Sequence, residues 1–229
     1  MNDLNIAAIL YGISIWALPI LIAITFHEAA HGFVAARRGD DTALRLGRVT
    51  FNPLKHIDPV GTVILPAILI LAQSPILFGY AKPVPVRFDR LNNPRRDMVW
   101  VAAAGPGMNI ALAFVCAIIL GFVDLLPENI GPWLEANLNN AILINLVLAV
   151  FNMLPLPPLD GGRVAVGLLP NALALPLARL ERFGLVILLG LLFFLPPVGR
   201  AIGIDISLFE WFIWPLVEFL YTLIAVLVW

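Results

Sequence analysis

The chain has 229 residues, of which 61% are hydrophobic and only 13% are charged, and its mean hydropathy is +0.94. Soluble domains carry about 25% charged residues, so this composition excludes a water-soluble globular protein and indicates a surface largely covered by lipid. The formal net charge of −1 gives no indication of nucleic-acid binding, and the single cysteine excludes an intrachain disulfide.

Apolar segments recur along the chain, and a helix that spans a bilayer needs about 20 mostly apolar residues. In chain order these segments cover residues 4–36, 61–78, 98–123, 140–154, 183–195 and 208–229. We therefore predict an all-α polytopic membrane protein with about five to six transmembrane helices, formed by one membrane-embedded domain over residues 1–229. Because residues 1–4 lack the basic side chains that begin a signal peptide, we expect the first segment to be retained as a span.

The distribution of lysine and arginine predicts the orientation of the chain in the membrane. The loops 37–59 and 79–97 each hold five basic residues, whereas the acidic loop 124–139 holds none. Basic loops favour the cytoplasm, so both basic loops are expected on that side. A crossing by segment 61–78 would separate them. We therefore predict that this short, proline-containing segment forms a re-entrant or interfacial hairpin.

A metal-binding motif lies near the end of the first apolar segment, where His27, Glu28 and His31 form the pattern His-Glu-x-x-His. Residues four apart project from one face of a helix, so both imidazoles can bind a single Zn²⁺. Glu28 lies beside the first imidazole and can accept a proton from water and pass it to a leaving amine. Ionisable groups in a spanning helix are costly, which favours this role over simple capping of the helix end.

A third metal ligand is required, because catalytic zinc has three protein ligands and an open position. His56 is the only histidine outside the motif, so the third ligand is either His56 or a carboxylate. Asp160 is the best carboxylate, because three of the five residues before it are proline and the next two are glycine, which together break the helix. The span before Asp160 is expected to return to the side of His31. The alternative is that Asp160 caps the following helix.

The chain resembles the site-2 protease family of intramembrane zinc metalloproteases in three motifs. Residues 27–31 read His-Glu-Ala-Ala-His, residues 152–161 read Asn-Met-Leu-Pro-Leu-Pro-Pro-Leu-Asp-Gly, and residues 104–109 read Ala-Gly-Pro-Gly-Met-Asn. The resemblance covers residues 20–165, with the motifs in the family's order. The chain is similar to the short form of the family, which has no PDZ or CBS domain.

The resemblance implies an endopeptidase with one Zn²⁺ per chain that hydrolyses peptide bonds in or near the transmembrane segments of other membrane proteins. It implies that His27, His31 and Asp160 bind the metal and that Glu28 is the catalytic residue. The implied partners are membrane proteins with a transmembrane helix, together with the lipid bilayer. The implied location is a bacterial or archaeal cell membrane, with the active site towards the cytoplasm.

Three polar residues have roles that the sequence leaves open. Asn152 and Asn109 match asparagines of the family motifs, so they either bind substrate or support the site, and the alternative is hydrogen bonding between helices. His56 either approaches the metal or folds the loop that carries it. Two alternative functions for the whole chain, a metal transporter and a non-catalytic protein that binds membrane helices, also remain open at this point.

A few short strands are also predicted, because residues 82–86 read Lys-Pro-Val-Pro-Val and prolines disfavour helix there. An edge strand at this position could bind an unwound substrate segment through main-chain hydrogen bonds.

Overall fold

The computed structural model describes residues 6–72, 79, 81–204 and 206–229, and these residues form helices joined by turns. The α-helices are α1 (Ile6–Arg37), α2 (Thr42–Arg45), α3 (Leu65–Leu71), α4 (Pro94–Leu120), α5 (Gly131–Asn152), α6 (Asp160–Leu168), α7 (Asn171–Arg179), α8 (Glu181–Leu189), α9 (Leu195–Ala201) and α10 (Trp214–Val228). Three π-helical turns, Pro59–Ile64, Gly190–Phe194 and Phe209–Ile213, lead directly into α3, α9 and α10.

Five helical stretches in the described residues are long and apolar enough to cross a membrane, which confirms the prediction of an all-α multi-pass membrane protein. They are Ile6–Arg37, Pro94–Leu120, Gly131–Asn152, Glu181–Ala201 and Phe209–Val228. The third of these begins at Gly131, so the predicted start at residue 140 was wrong. Pro132 occupies the first turn of α5, where its missing N–H costs nothing, and half of the acidic loop is therefore helical.

Helices α1, α4 and α5 contact one another and form the centre of the bundle. Ala113 and Ala117 of α4 are fully buried against Ile142 and Leu146 of α5. Small residues let two helix backbones approach closely, which is how helices associate when lipid offers no hydrophobic driving force. Helix α10 completes this cluster and packs on both α4 and α5.

The predicted hairpin at 61–78 begins with a helix that runs from Pro59 to Leu71 through its initial π-helical turn. Asp58 is the N-cap of this helix, and its carboxylate accepts hydrogen bonds from the amides of Val60 and Gly61. Residues 73–78, where the chain would return, lie outside the described residues. Gly79 packs against the Gly61 carbonyl, so the two ends of the segment lie side by side.

The two basic loops lie together on one side of the bundle. The Lys82 amide donates to the His56 carbonyl at 2.9 Å, and the Arg48 guanidinium donates to the Lys82 carbonyl at 2.7 Å. The Arg87 amide donates to the Asp40 carboxylate at 2.6 Å. These contacts agree with a segment 61–78 that leaves and returns on the same side.

The prediction of short strands was wrong for the part of the chain that the structure describes, which contains no strand. Residues 82–86 have an irregular backbone and do not pair with another strand, for reasons that the sequence explains. Pro83 and Pro85 have no N–H to donate to a ladder. The N–H groups of Lys82 and Val84 are already bound to the His56 carbonyl and the Glu28 carboxylate.

Asp40 joins the end of α1 to the loop that follows the hairpin. Its side chain is fully buried and accepts hydrogen bonds from the Thr42 amide, the Thr42 hydroxyl and the Arg87 amide. Burial alone would raise the pKa of this carboxyl, but these hydrogen bonds outweigh burial and hold its pKa below the usual 3.8. The ionised form therefore stabilises the fold above about pH 3.8, and this contribution is lost as the pH falls through the lowered pKa.

We expect Asp40→Asn to lower the free energy of unfolding by about 1–3 kcal/mol at pH 7. The amide has only one acceptor oxygen, so its NH₂ group would replace the acceptor of either the two Thr42 groups or the Arg87 amide. The measurement is the thermal midpoint of the purified protein in detergent. The matched control is Asp41→Asn, which removes only an exposed ion pair with Arg45 and should cost at most about 0.5 kcal/mol. Equal midpoints for the two variants would contradict a joining role for Asp40.

Candidate metal centre

Three ligand-type side chains converge where α1 meets the start of α6. The Nε2 atoms of His27 and His31 are 3.0 Å apart, and the Asp160 carboxylate lies 3.2 Å from the first and 3.3 Å from the second. All three side chains are buried, at 6–9% exposed. Within the described residues, these three form the group that could hold a metal ion. The structure therefore brings together the three residues that the sequence proposed as ligands.

Each imidazole is held by a hydrogen bond on the nitrogen that faces away from the centre. His27 Nδ1 lies 2.5 Å from Asn109 Oδ1, and His31 Nδ1 lies 2.7 Å from the Val101 carbonyl. Both partners are acceptors, so each Nδ1 carries the proton and each Nε2 presents a lone pair. Such outer partners orient metal-bound histidines and fix their tautomer.

The spacing of the three donor atoms fits zinc. With bonds of about 2.0–2.1 Å, the ligand atoms of a tetrahedral zinc lie about 3.3 Å apart. The observed separations of 3.0–3.3 Å match the three edges of one face of such a tetrahedron. Two imidazole lone pairs and a carboxylate would repel one another at this distance, so the arrangement favours a cation between them.

The break between α5 and α6 places Asp160. Residues 153–159 leave the helix, and α6 restarts at Asp160 itself. Gly161 and Gly162 pack directly against the backbone of Met153 and Pro157, where a side chain would not fit. The N-cap residue of α6 is Leu159, and Asp160 is the first residue of the helix. The alternative that Asp160 acts as the N-cap of this helix is therefore wrong.

Helix α4 crosses the two histidines at Gly105. A methyl group at this position would lie 2.5 Å from His31 Nε2 and 2.6 Å from His27 Nε2. The absent side chain therefore makes the space in which the two imidazoles meet. Nothing in the sequence shows that Gly105 lies against the candidate metal ligands.

Glu28 lines a cavity of about 320 Å³ together with the three candidate ligands. The cavity is also lined by Pro83, Val84, Val86, Phe88, Val101, Ala102, Asn152, Pro158, Leu159 and Arg163. The Glu28 carboxylate accepts the Val84 amide at 2.7 Å, which holds residues 82–86 over the site. A cavity with a carboxylate beside the candidate metal ligands has room for water and for a peptide bond.

The two asparagines of the family motifs, Asn109 and Asn152, lie in different surroundings. Asn109 is fully buried and bonds to His27, whereas Asn152 lines the cavity and donates to the Leu148 carbonyl one turn back. Asn145 was missed by sequence reasoning. It accepts a hydrogen bond from the Asn109 amide nitrogen at 2.8 Å, and a buried asparagine in an apolar span was the available signal.

His56 does not join the metal group. It is 2% exposed, its Nε2 lies 3.0 Å from the Thr50 carbonyl, and its own carbonyl accepts the Lys82 amide. These contacts fit the loop-folding alternative and leave Asp160 as the third candidate ligand.

Five apolar helices and a zinc-type site on a His-Glu-x-x-His helix define the class of membrane-embedded zinc metalloproteases. The sequence profile of peptidase family M50 matches residues 15–126 and 128–195, and the chain belongs to this family. The resemblance to site-2 proteases is thereby confirmed, as are the enzyme class and the zinc cofactor.

Two relatives support the assignment over most of the chain. The protein named "Putative zinc metalloprotease YwhC" from Bacillus subtilis is 37% identical over 189 residues, which are 81% of this chain and 82% of that protein. The protein named "Putative zinc metalloprotease Rip2" from Mycobacterium tuberculosis is 33% identical over 192 residues, which are 83% of this chain and 71% of that protein. No solved structure matches the chain significantly.

Proposed function

We propose that this zinc metalloprotease is an intramembrane endopeptidase that hydrolyses peptide bonds in or near the transmembrane segments of other membrane proteins. The observation that carries the proposal is the position of the site. His27, Glu28 and His31 lie within a 32-residue apolar helix, and Asp160 meets them from the start of α6, after the span α5 has ended. A protease with two of its three candidate ligands on a spanning helix favours substrates that also lie in the membrane.

The proposed roles follow from the contacts of each side chain. His27, His31 and Asp160 would hold one Zn²⁺, which when bound would polarise the scissile carbonyl and help water lose a proton, which makes the water a better nucleophile. Glu28 would accept the proton of the attacking water and deliver it to the leaving amine. Asn152, on the wall of the cavity, would hydrogen-bond the substrate backbone.

An apolar groove offers a path for a substrate helix. It has a volume of about 460 Å³ and lies between α1, α5 and the start of the hairpin. Phe151 lines this groove, and the next residue, Asn152, lines the metal cavity. The groove and the metal cavity are therefore adjacent, and a membrane segment that enters the groove would lie next to the site.

We further propose that the chain is one membrane-embedded domain whose active site faces the cytoplasm. The loops 37–59 and 79–97, with five basic residues each, contact one another beside the end of α1 that carries His31. The positive-inside rule assigns this side to the cytoplasm.

The test is cleavage of single-span reporter helices by the protein purified in detergent. We expect cleavage within or beside the apolar span of at least one reporter, its loss on removal of zinc by a chelator, and its return when zinc is added back. Soluble unfolded peptides without an apolar span serve as the control substrates. A zinc-loaded protein that cleaved only the soluble peptides would contradict the intramembrane proposal while leaving the metalloprotease assignment intact.

A further inference from the structure

We propose that Asn145 is a positioning residue that fixes the tautomer of His27 and thereby sets the affinity of the site for zinc. Asn145 lies on α5, is 1% exposed, and is linked to His27 through Asn109. The proposal rests on His27 as a zinc ligand, as proposed above, but its measurement is zinc binding and does not require a substrate.

The direction of the hydrogen-bond chain is determined by its far end. The Ala141 carbonyl can only accept, so the side-chain group of Asn145 that faces it at 2.8 Å is the NH₂ group. Asn145 therefore presents its oxygen to Asn109, at 2.8 Å, and Asn109 must offer its own NH₂ group there. The Asn109 oxygen then faces His27 Nδ1, which must carry the proton.

The tautomer of His27 decides whether it can bind a metal. With the proton on Nδ1, the lone pair lies on Nε2, which faces His31 and Asp160. If the Asn109 amide turned over, its NH₂ group would face Nδ1 and favour the tautomer with the proton on Nε2, which leaves no lone pair towards His31 and Asp160 for zinc.

Asn145 is the stronger of two constraints on the Asn109 amide. The other is the Ala23 carbonyl, which accepts from Asn109 Nδ2 at 3.3 Å, against 2.8 Å for Asn145. Both acceptors favour the same orientation, but the shorter bond comes from α5. These hydrogen bonds thus connect His27, the candidate ligand on α1, to Asn109 on α4 and to Asn145 on α5.

The experiment compares Asn145→Leu with Asn145→Asp, two replacements of similar size. Leucine removes the acceptor that orients Asn109, whereas a protonated aspartate can donate its O–H to the Ala141 carbonyl and accept from Asn109 with its other oxygen. We expect Asn145→Leu to weaken zinc binding by about 10- to 100-fold, the usual cost of losing an outer partner of a metal-bound histidine, and Asn145→Asp to retain it. Zinc affinity is measured by competition with a chelator, and the visible spectrum of the Co²⁺-substituted protein reports the ligand geometry.

Asn140→Leu is the matched control, because Asn140 also lies on α5 and donates to α1, at the Ile15 carbonyl, 2.9 Å away. It should leave zinc affinity and the Co²⁺ spectrum unchanged. Wild-type zinc affinity in a folded Asn145→Leu protein would overturn the proposal, as would an equal loss in Asn140→Leu or Asn145→Asp. If Asn145→Leu does not fold, Asn145→Ala removes the same acceptor without added bulk and is measured in its place.

Discussion

Glu28→Gln should abolish peptide cleavage and leave zinc bound. General acid–base catalysis by one side chain contributes about 10²–10⁴-fold to a rate, and an amide can neither accept the proton of water nor return it to the leaving amine. The fold should survive, because the glutamine oxygen can still accept the Val84 amide, as the carboxylate does at 2.7 Å. The measurement is the rate of reporter cleavage together with the zinc content of the same purified sample.

Glu210→Gln is the control for this variant, since it neutralises an exposed carboxylate on the helix that leads into α10, outside the residues that line the metal cavity. It should cleave at the wild-type rate. A Glu28→Gln protein that retained full zinc and cleaved reporters at more than a tenth of the wild-type rate would remove Glu28 from the role of proton carrier. A variant that lost its zinc would instead indicate that Glu28 supports the metal.

The parts of the site that depend on local spacing could be predicted from the sequence. His27 and His31 are four residues apart on one helix, so their common face follows from helix geometry alone. Asp160 could be proposed because the prolines before it break the helix, and the structure places its carboxylate within 3.3 Å of both imidazoles. The two glycines after it do not add to this break, because they lie inside α6. Whether these residues bind zinc stays a prediction for the experiments above.

The parts that depend on contacts between helices could not be predicted. Asn145 reaches His27 only through Asn109 on a neighbouring helix, and no spacing in one sequence encodes that alignment. The closeness of Gly105 to the two imidazoles likewise depends on where α4 crosses α1. Such residues appear in the sequence only as small or polar positions inside apolar segments.

The errors in the predicted fold have local physical causes. Residues 82–86 were expected to form a strand because prolines exclude helix there, but the same prolines remove the N–H groups that a strand needs. The start of α5 was placed at residue 140 because polar residues precede it, yet Gly131 and Pro132 begin a helix nine residues earlier. Residues 131–139 therefore continue the helix towards the membrane surface although several of them are polar.

Gly105→Ala should destroy the zinc site with the addition of a single carbon atom. The new methyl group would lie 2.5–2.6 Å from the Nε2 atoms of His31 and His27, so both imidazoles must move by roughly 1 Å. A displacement of about 1 Å at a reacting centre costs roughly 10²-fold. We therefore expect cleavage to fall by at least that factor, and zinc affinity, measured by chelator competition, to fall with it because the two imidazoles no longer meet at one point.

Gly107→Ala is the matched control on the same helix, because a methyl group there meets no atom within 4 Å. Alanine is favoured over glycine in a helix by about 1 kcal/mol, so this variant should bind zinc normally and melt no earlier than the wild type. The two substitutions add the same atom two residues apart, so helix propensity and hydrophobicity cancel in the comparison. A Gly105→Ala protein with wild-type zinc affinity would show that α4 does not cross the histidines where the structure places it.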